Sequence, residues 1–64
     1  MTNKDLRNWI INIENTAAEV SAQIGQAVVD SVFKKHGARS ILDLNPIHYP
    51  EVFSELYAIE ADLR

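Results

Sequence analysis

The fold of this chain is decided by residues 3–36, which read NKDLRNWIINIENTAAEVSAQIGQAVVDSVFKKH. Small or apolar side chains recur there at alternating spacings of four and three, at Leu6, Ile10, Ile13, Ala17, Val20, Ile24, Ala27 and Ser31. This heptad stripe, as we call these eight positions, is typical of helices that pack lengthwise against one another. It predicts one continuous N-terminal helix over about residues 3–36, some 50 Å long at ~1.5 Å per residue.

Capping residues mark both ends of this helix. Thr2 is the predicted N-cap, with Asp5 in the third helical position. Gly37, which can adopt the left-handed conformation, follows a cationic last turn made of Lys34, Lys35 and His36. A second interpretation remains open, in which the helix breaks near Asn15. Thr16 and Glu19 match a capping box, and such a break gives a monomeric three-helix bundle.

The rest of the chain predicts a connector and one more helix. Ser40 and Asp43 match another capping box, so a helical turn is expected over about residues 40–44. The C-terminal helix is expected to end at about 63 and to start at 46 or nearer 50, because Pro46 and Pro50 both restrict its start. Packed antiparallel on the second half of the long helix, it completes a helical hairpin. Residues 1–64 thus form a single all-α domain.

The helix lengths predict self-association. A C-terminal helix of about 14–18 residues is only ~21–27 Å long, too short to cover the whole heptad stripe. An uncovered apolar patch is usually an interaction site. We therefore expect a homodimer that forms a four-helix assembly, with a coiled-coil-like interface. The expected interface residues lie in the first half of the long helix: Leu6, Trp9, Ile10, Ile13 and Ala17.

The composition narrows the function classes. The chain has no cysteine, two glycines and two histidines, which excludes disulfides, thiolate metal sites and glycine-rich phosphate loops. His36 and His48 lie in no metal-ligand motif of the sequence. We therefore expect no enzymatic activity, no cofactor and no metal site. No signal peptide and no apolar run of about 18 residues is present, so no membrane segment is expected and a cytoplasmic location is predicted.

Charge is concentrated in two places. The formal net charge of −3 does not favour nucleic acid as a direct ligand. One face of the C-terminal helix is a possible acidic partner-binding surface, formed by Glu51, Glu55 and Asp62. The only cationic cluster, a possible anion contact, holds Lys34, Lys35 and Arg39. Solvated surface is the simpler interpretation of both.

The second half of the chain, residues 37–63, resembles short helical modules in proteins encoded by phages and mobile elements. The resemblance is carried by the run GARSILDL at 37–44, followed by Pro46, Tyr49, Val52, Phe53, Glu55, Leu56, Asp62 and Leu63. It implies a bacterial or phage setting and transfers no site residues. Three hypotheses follow: a homodimeric interaction or regulatory protein that binds itself or an unknown protein, an acidic anti-CRISPR-like inhibitor of a nucleic-acid enzyme, and a weak DNA-binding regulator.

Overall fold

A computed structural model describes residues 2–63 of the chain. These residues form helix α1 over Asn3–Ile24, helix α2 over Gln26–Lys35, a short 3-10 helix over Pro46–His48 and helix α3 over Tyr49–Asp62. Helix α1 packs against both α2 and α3, and α2 packs against α3. No strand occurs in the described range. The predicted all-α helical fold is therefore confirmed, and it takes the form of a three-helix bundle.

The caps predicted at Thr2 and Gly37 are confirmed, whereas the Ser40–Asp43 capping box is wrong, because the Ser40 hydroxyl accepts from the N–H of residue 42 and the Asp43 carboxylate lies by Arg39. Thr2 and Asp5 form a capping box, in which each side chain accepts a hydrogen bond from the other residue's backbone N–H. Gly37 has a φ of 77°, and the N–H groups of residues 37 and 38 donate to the carbonyls of Lys34 and Phe33, both at 3.0 Å. This pair of bonds is a Schellman motif, which ends α2 with its last carbonyls satisfied.

The continuous helix over residues 3–36 is wrong, because the chain breaks at Gly25. Gly25 has φ 105° and ψ 155°, a backbone conformation that is essentially restricted to glycine. The alternative break near Asn15 is wrong as well. The hydroxyl of Thr16 donates to the carbonyl oxygen of Asn12 at 2.9 Å inside α1, so it satisfies a helix carbonyl and caps no helix start.

The break changes which side chains are buried. In α1 the buried side chains are Ile13, Thr16 and Val20, so the heptad stripe describes the core-facing side up to Val20. Beyond it Ile24 is 43% exposed, and Ala27 and Ser31 are exposed. The buried positions of α2 are instead Val29, Val32 and Phe33. Helix α2 has its own apolar face, set by its own direction after the turn at Gly25.

Helix α3 lies in a different place from the predicted one. The rings of Trp9 and Phe53 are in edge contact, with centroids 5.8 Å apart, so α3 reaches the first half of α1. Ile13 and Leu56 are both fully buried. The expectation that the first half of the heptad stripe stays uncovered is therefore wrong for Ile13. The turn at Gly25 is the reason, because it keeps the 22-residue helix α1 short enough for one chain to cover.

The connector makes two overlapping turns over residues 40–44. The N–H groups of Asp43 and Leu44 donate to the carbonyls of Ser40 and Ile41 at 3.2 and 3.3 Å. Leu44 is buried, whereas Leu42 is 93% exposed. The Asn45 side chain accepts a hydrogen bond from the N–H of residue 47 and caps the 3-10 helix. Helix α3 begins at Tyr49, the later of the two predicted starts.

Candidate functional site

The expected dimer-interface residues of α1 differ in how far the chain itself covers them. Ile13 is fully buried, and Leu6, Trp9, Ile10 and Ala17 are half-buried and pack against the core. Most of the apolar surface of these side chains is thus used inside the chain. Of these residues, Trp9 contacts a ring of α3.

Three aromatic rings lie in a row where α1 contacts α3. The Trp9 ring meets the Phe53 ring edge-on, and the Phe53 and Tyr57 ring centroids are 5.9 Å apart. Trp9 and Phe53 are half-buried, and Tyr57 is 52% exposed. We call these three residues the aromatic row. Of these three residues the sequence analysis singled out only Trp9 as an interface residue.

An open depression lies next to Trp9 on α1. Its volume is about 440 Å³, and it is lined by Asp5, Asn8, Trp9 and Asn12. Of these four side chains only Asp5 is charged, and its carboxylate accepts the N-cap hydrogen bond from Thr2. The aromatic row is therefore bordered on this side by neutral amides, a combination of aromatic and polar groups that is common in protein interfaces.

Most charged groups of the two clusters have a neighbour of opposite charge or a histidine beside them. The Lys35 Nζ atom lies 3.2 Å from the Glu55 carboxylate, and Arg39 lies 3.6 Å from Asp43. Glu51 and Glu55 both approach His36, at 3.7 and 3.5 Å. Two of the three carboxylates of the predicted acidic face thus have basic neighbours, and Asp62 is exposed. This pairing lowers the net potential of both surfaces and weakens the case for either as a charged docking site.

The structure also brings together a group of residues that the sequence analysis treated separately. His36, at the end of α2, and His48, at the end of the 3-10 helix, have ring centroids 5.1 Å apart. Together with Glu51 they place three potential ligand atoms within 4.8 Å of one another. The twelve-residue separation of the two histidines hides this group in the sequence, and only the reversal of the chain after Gly37 brings them together.

Among the described residues, no helix has the length and apolarity needed to cross a membrane. No protein-family model, curated protein or solved structure matches this chain.

Proposed function

We propose that this chain is a small non-enzymatic interaction protein that acts as a homodimer, and that the aromatic row is its self-association surface. The observation that carries the proposal is a row of three rings, in which Phe53 contacts both Trp9 and Tyr57 and which the chain leaves partly exposed. Tryptophan and tyrosine are enriched among the residues that dominate binding energy at interfaces. A single such cluster on a small helical protein is best explained as a contact surface.

Charge supports a second copy as the partner. In a two-fold dimer the same patch meets itself, so a charged group near the two-fold axis lies close to its own copy. The depression beside Trp9 offers Asn8 and Asn12, whose amides both donate and accept hydrogen bonds and can pair with their own copies. The opposite side of α3, with Glu51, Glu55 and Asp62, would bring like charges together. The side of α3 with Phe53 and Tyr57 thus carries fewer charged groups than the side with Glu51, Glu55 and Asp62.

Size supports the same conclusion. A chain of 64 residues buries only roughly 60% of the surface that its unfolded form exposes, so its core is marginal. Chains of this size commonly gain stability from disulfides, metals or oligomerisation. Without cysteine, disulfides are excluded. A second copy covering the aromatic row adds apolar burial that the single chain lacks.

Sedimentation equilibrium with two matched variants tests the proposal. Tyr57 and Ile11 are almost equally exposed, at 52% and 49%, but Ile11 lies two residues from Trp9 and so about 200° around α1 from it. We expect the wild-type chain to reach twice the 7.2 kDa monomer mass at micromolar concentration. Tyr57→Glu should weaken the dimer at least tenfold, about 1.4 kcal/mol or more, whereas Ile11→Glu should leave it intact.

Two results would overturn the proposal. One is a wild-type chain that stays monomeric throughout the micromolar range. The other is a dimer that both variants weaken equally, because a general effect of added negative charge would then explain the loss. Thermal unfolding of each variant shows whether it is folded, so that a loss of dimer is not mistaken for a loss of structure.

A further inference from the structure

A buried histidine near the end of α2 has both ring nitrogens next to glutamate side chains. The His36 side chain is only 10% exposed, and its Nδ1 atom lies 3.7 Å from the Glu51 carboxylate. Its Nε2 atom lies 3.5 Å from the Oε2 atom of Glu55. Within the described part of the chain neither Nε2 nor that oxygen has a hydrogen-bond partner, although both are buried. A buried polar atom without a partner is costly, so this arrangement calls for an explanation.

We propose that His36, His48 and Glu51 bind one divalent transition-metal ion, with Zn²⁺ as the fitting probe. His36 Nδ1, one nitrogen of His48 and one oxygen of Glu51 are the ligands. The proposal is independent of the homodimer, since it uses the side of α3 that bears Glu51 and Glu55. The chemistry fits the ion: imidazole nitrogens suit Zn²⁺ and its neighbours in the transition series, and a carboxylate completes such a set.

The second nitrogen of His36 gives the proposal its strongest support. When Nδ1 binds a metal ion, Nε2 carries the proton and needs an acceptor. In metal sites that acceptor is very often a carboxylate, which fixes the tautomer and the ring orientation. Glu55 Oε2 is already in place at 3.5 Å, and its other oxygen is held by Lys35 at 3.2 Å. A bound ion thus accounts for both unpartnered atoms.

The distances require only a small closure of the cluster. Tetrahedral zinc with bonds of about 2.0–2.2 Å places its ligand atoms roughly 3.4 Å apart. The His36 and Glu51 atoms are at 3.7 Å, and the full set lies within 4.8 Å. A shift of about 1 Å by the half-buried His48 and the exposed Glu51 therefore brings the three ligand atoms to the separation that one zinc ion requires. Because the Glu51 side chain is 68% exposed, the cluster is open to solvent, and water would supply the fourth ligand.

An ion at this position joins three elements of the fold. It links the end of α2, the 3-10 helix and the first turn of α3, and so closes the connector between His36 and His48. A ligand that binds only the folded chain stabilises it by mass action. We therefore expect metal binding to raise the thermal midpoint, Tm, as well as to be detectable directly.

The test is isothermal titration calorimetry of the full chain with ZnCl₂, together with thermal unfolding with and without the ion. We expect one ion per chain, micromolar or tighter binding, and a Tm that rises with Zn²⁺ and returns when a chelator is added. His48→Ala and Glu51→Gln should each weaken binding at least tenfold, since loss of even an outer-shell partner of a metal ligand costs ten- to a hundredfold. Glu19→Gln, the same charge change at an exposed site of α1, should have no effect.

Long-range ¹H–¹⁵N NMR spectra of the two imidazoles supply a further readout. The bound state should show His36 protonated on Nε2 and metal-bound through Nδ1. The proposal is overturned if no binding occurs, if His48→Ala and Glu51→Gln bind like the wild type, or if one ion bridges two chains. In each of these cases the cluster only forms ion pairs, or the metal is held elsewhere.

Discussion

Replacing Gly25 with alanine is expected to turn the compact chain into a longer and less stable one. The φ 105°, ψ 155° conformation of Gly25 costs a residue with a Cβ about 1–3 kcal/mol. No atom lies within 4 Å of where that Cβ would be, so the cost is backbone strain alone. In a straight helix the same change is favourable by about 1 kcal/mol. The balance therefore moves by about 2–4 kcal/mol toward a helix that continues through residue 25.

The straightened chain has a predictable shape. The heptad stripe keeps its phase through Gly25, so a continuous helix of about 50 Å can form, whereas the longest dimension of the folded chain is 32 Å. Its apolar side chains would lose their covering within one chain, and exchange of α2 and α3 between two copies would restore it. Small-angle scattering should report a radius of gyration clearly above that of the wild-type chain at the same concentration, and thermal unfolding should show a lower Tm.

Gly37→Ala is the matched control. Gly37 also has a positive φ, 77°, with open space around its Cβ position, so alanine there costs about 1–2 kcal/mol. No continuous helix can take over, because the heptad stripe ends before it and Pro46 follows. Stability should fall and the shape should stay the same. If Gly25→Ala leaves both the Tm and the radius of gyration unchanged, the turn at residue 25 does not determine the compact shape of this chain.

Ile13→Ala is expected to have the second large effect. Ile13 is fully buried and belongs to the same hydrophobic core as Val20, Val52 and Leu56. Truncating a buried isoleucine to alanine typically costs 2–5 kcal/mol, through lost apolar burial and the cavity that remains. Small domains have few kcal/mol in total. Urea unfolding followed by circular dichroism should show a large loss of stability or a chain that is largely unfolded.

Ile11→Ala provides the comparison for this prediction. Ile11 is 49% exposed, and surface substitutions usually change stability by less than about 0.5 kcal/mol. The loss at Ile13 should also be the same at low and high protein concentration. A loss that appears only at concentrations where the chain is dimeric would contradict burial within one chain, and would place Ile13 in the interface that the sequence first suggested.

The caps at Thr2, Gly37 and Asn45 could be predicted because they are set by local chemistry. Thr2 with Asp5, the glycine at 37 and Asn45 before Pro46 each form the cap that their residue types favour. These interactions join residues at most five apart, so no knowledge of the rest of the fold is needed. The buried side of α1 up to Val20 could also be predicted, because the spacing of apolar residues within one helix marks it.

The break at Gly25 could not be predicted from the heptad stripe, which continues in phase on both sides of it. A glycine within a helical pattern costs only about 1 kcal/mol, and packing decides whether the chain bends there. Val29, Val32 and Phe33 gain burial when α2 turns back. At Thr16 the opposite error arose, because its hydroxyl bonds within the helix. The bend at Gly25 thus depends on tertiary packing, whereas the outcome at Thr16 depends on a bond to the preceding turn of the same helix.

The candidate sites depend on packing to the same degree. The aromatic row combines Trp9 of α1 with Phe53 and Tyr57 of α3, so it exists only once the two helices meet. The histidine cluster needs the connector to return His48 to His36. In the sequence these residues are isolated. The sequence indicated one member of the aromatic row in advance, because Trp9 lies beside the heptad stripe.

The most direct test of the homodimer is an NMR dilution series. The chain has a single tryptophan, so the indole N–H of Trp9 gives one resolvable side-chain resonance within the aromatic row. We predict that this resonance, and the backbone resonances around Phe53 and Tyr57, shift with concentration while those of the connector stay fixed. Spectra that do not change from micromolar to millimolar concentration, or shifts confined to other surfaces, would contradict self-association through the aromatic row.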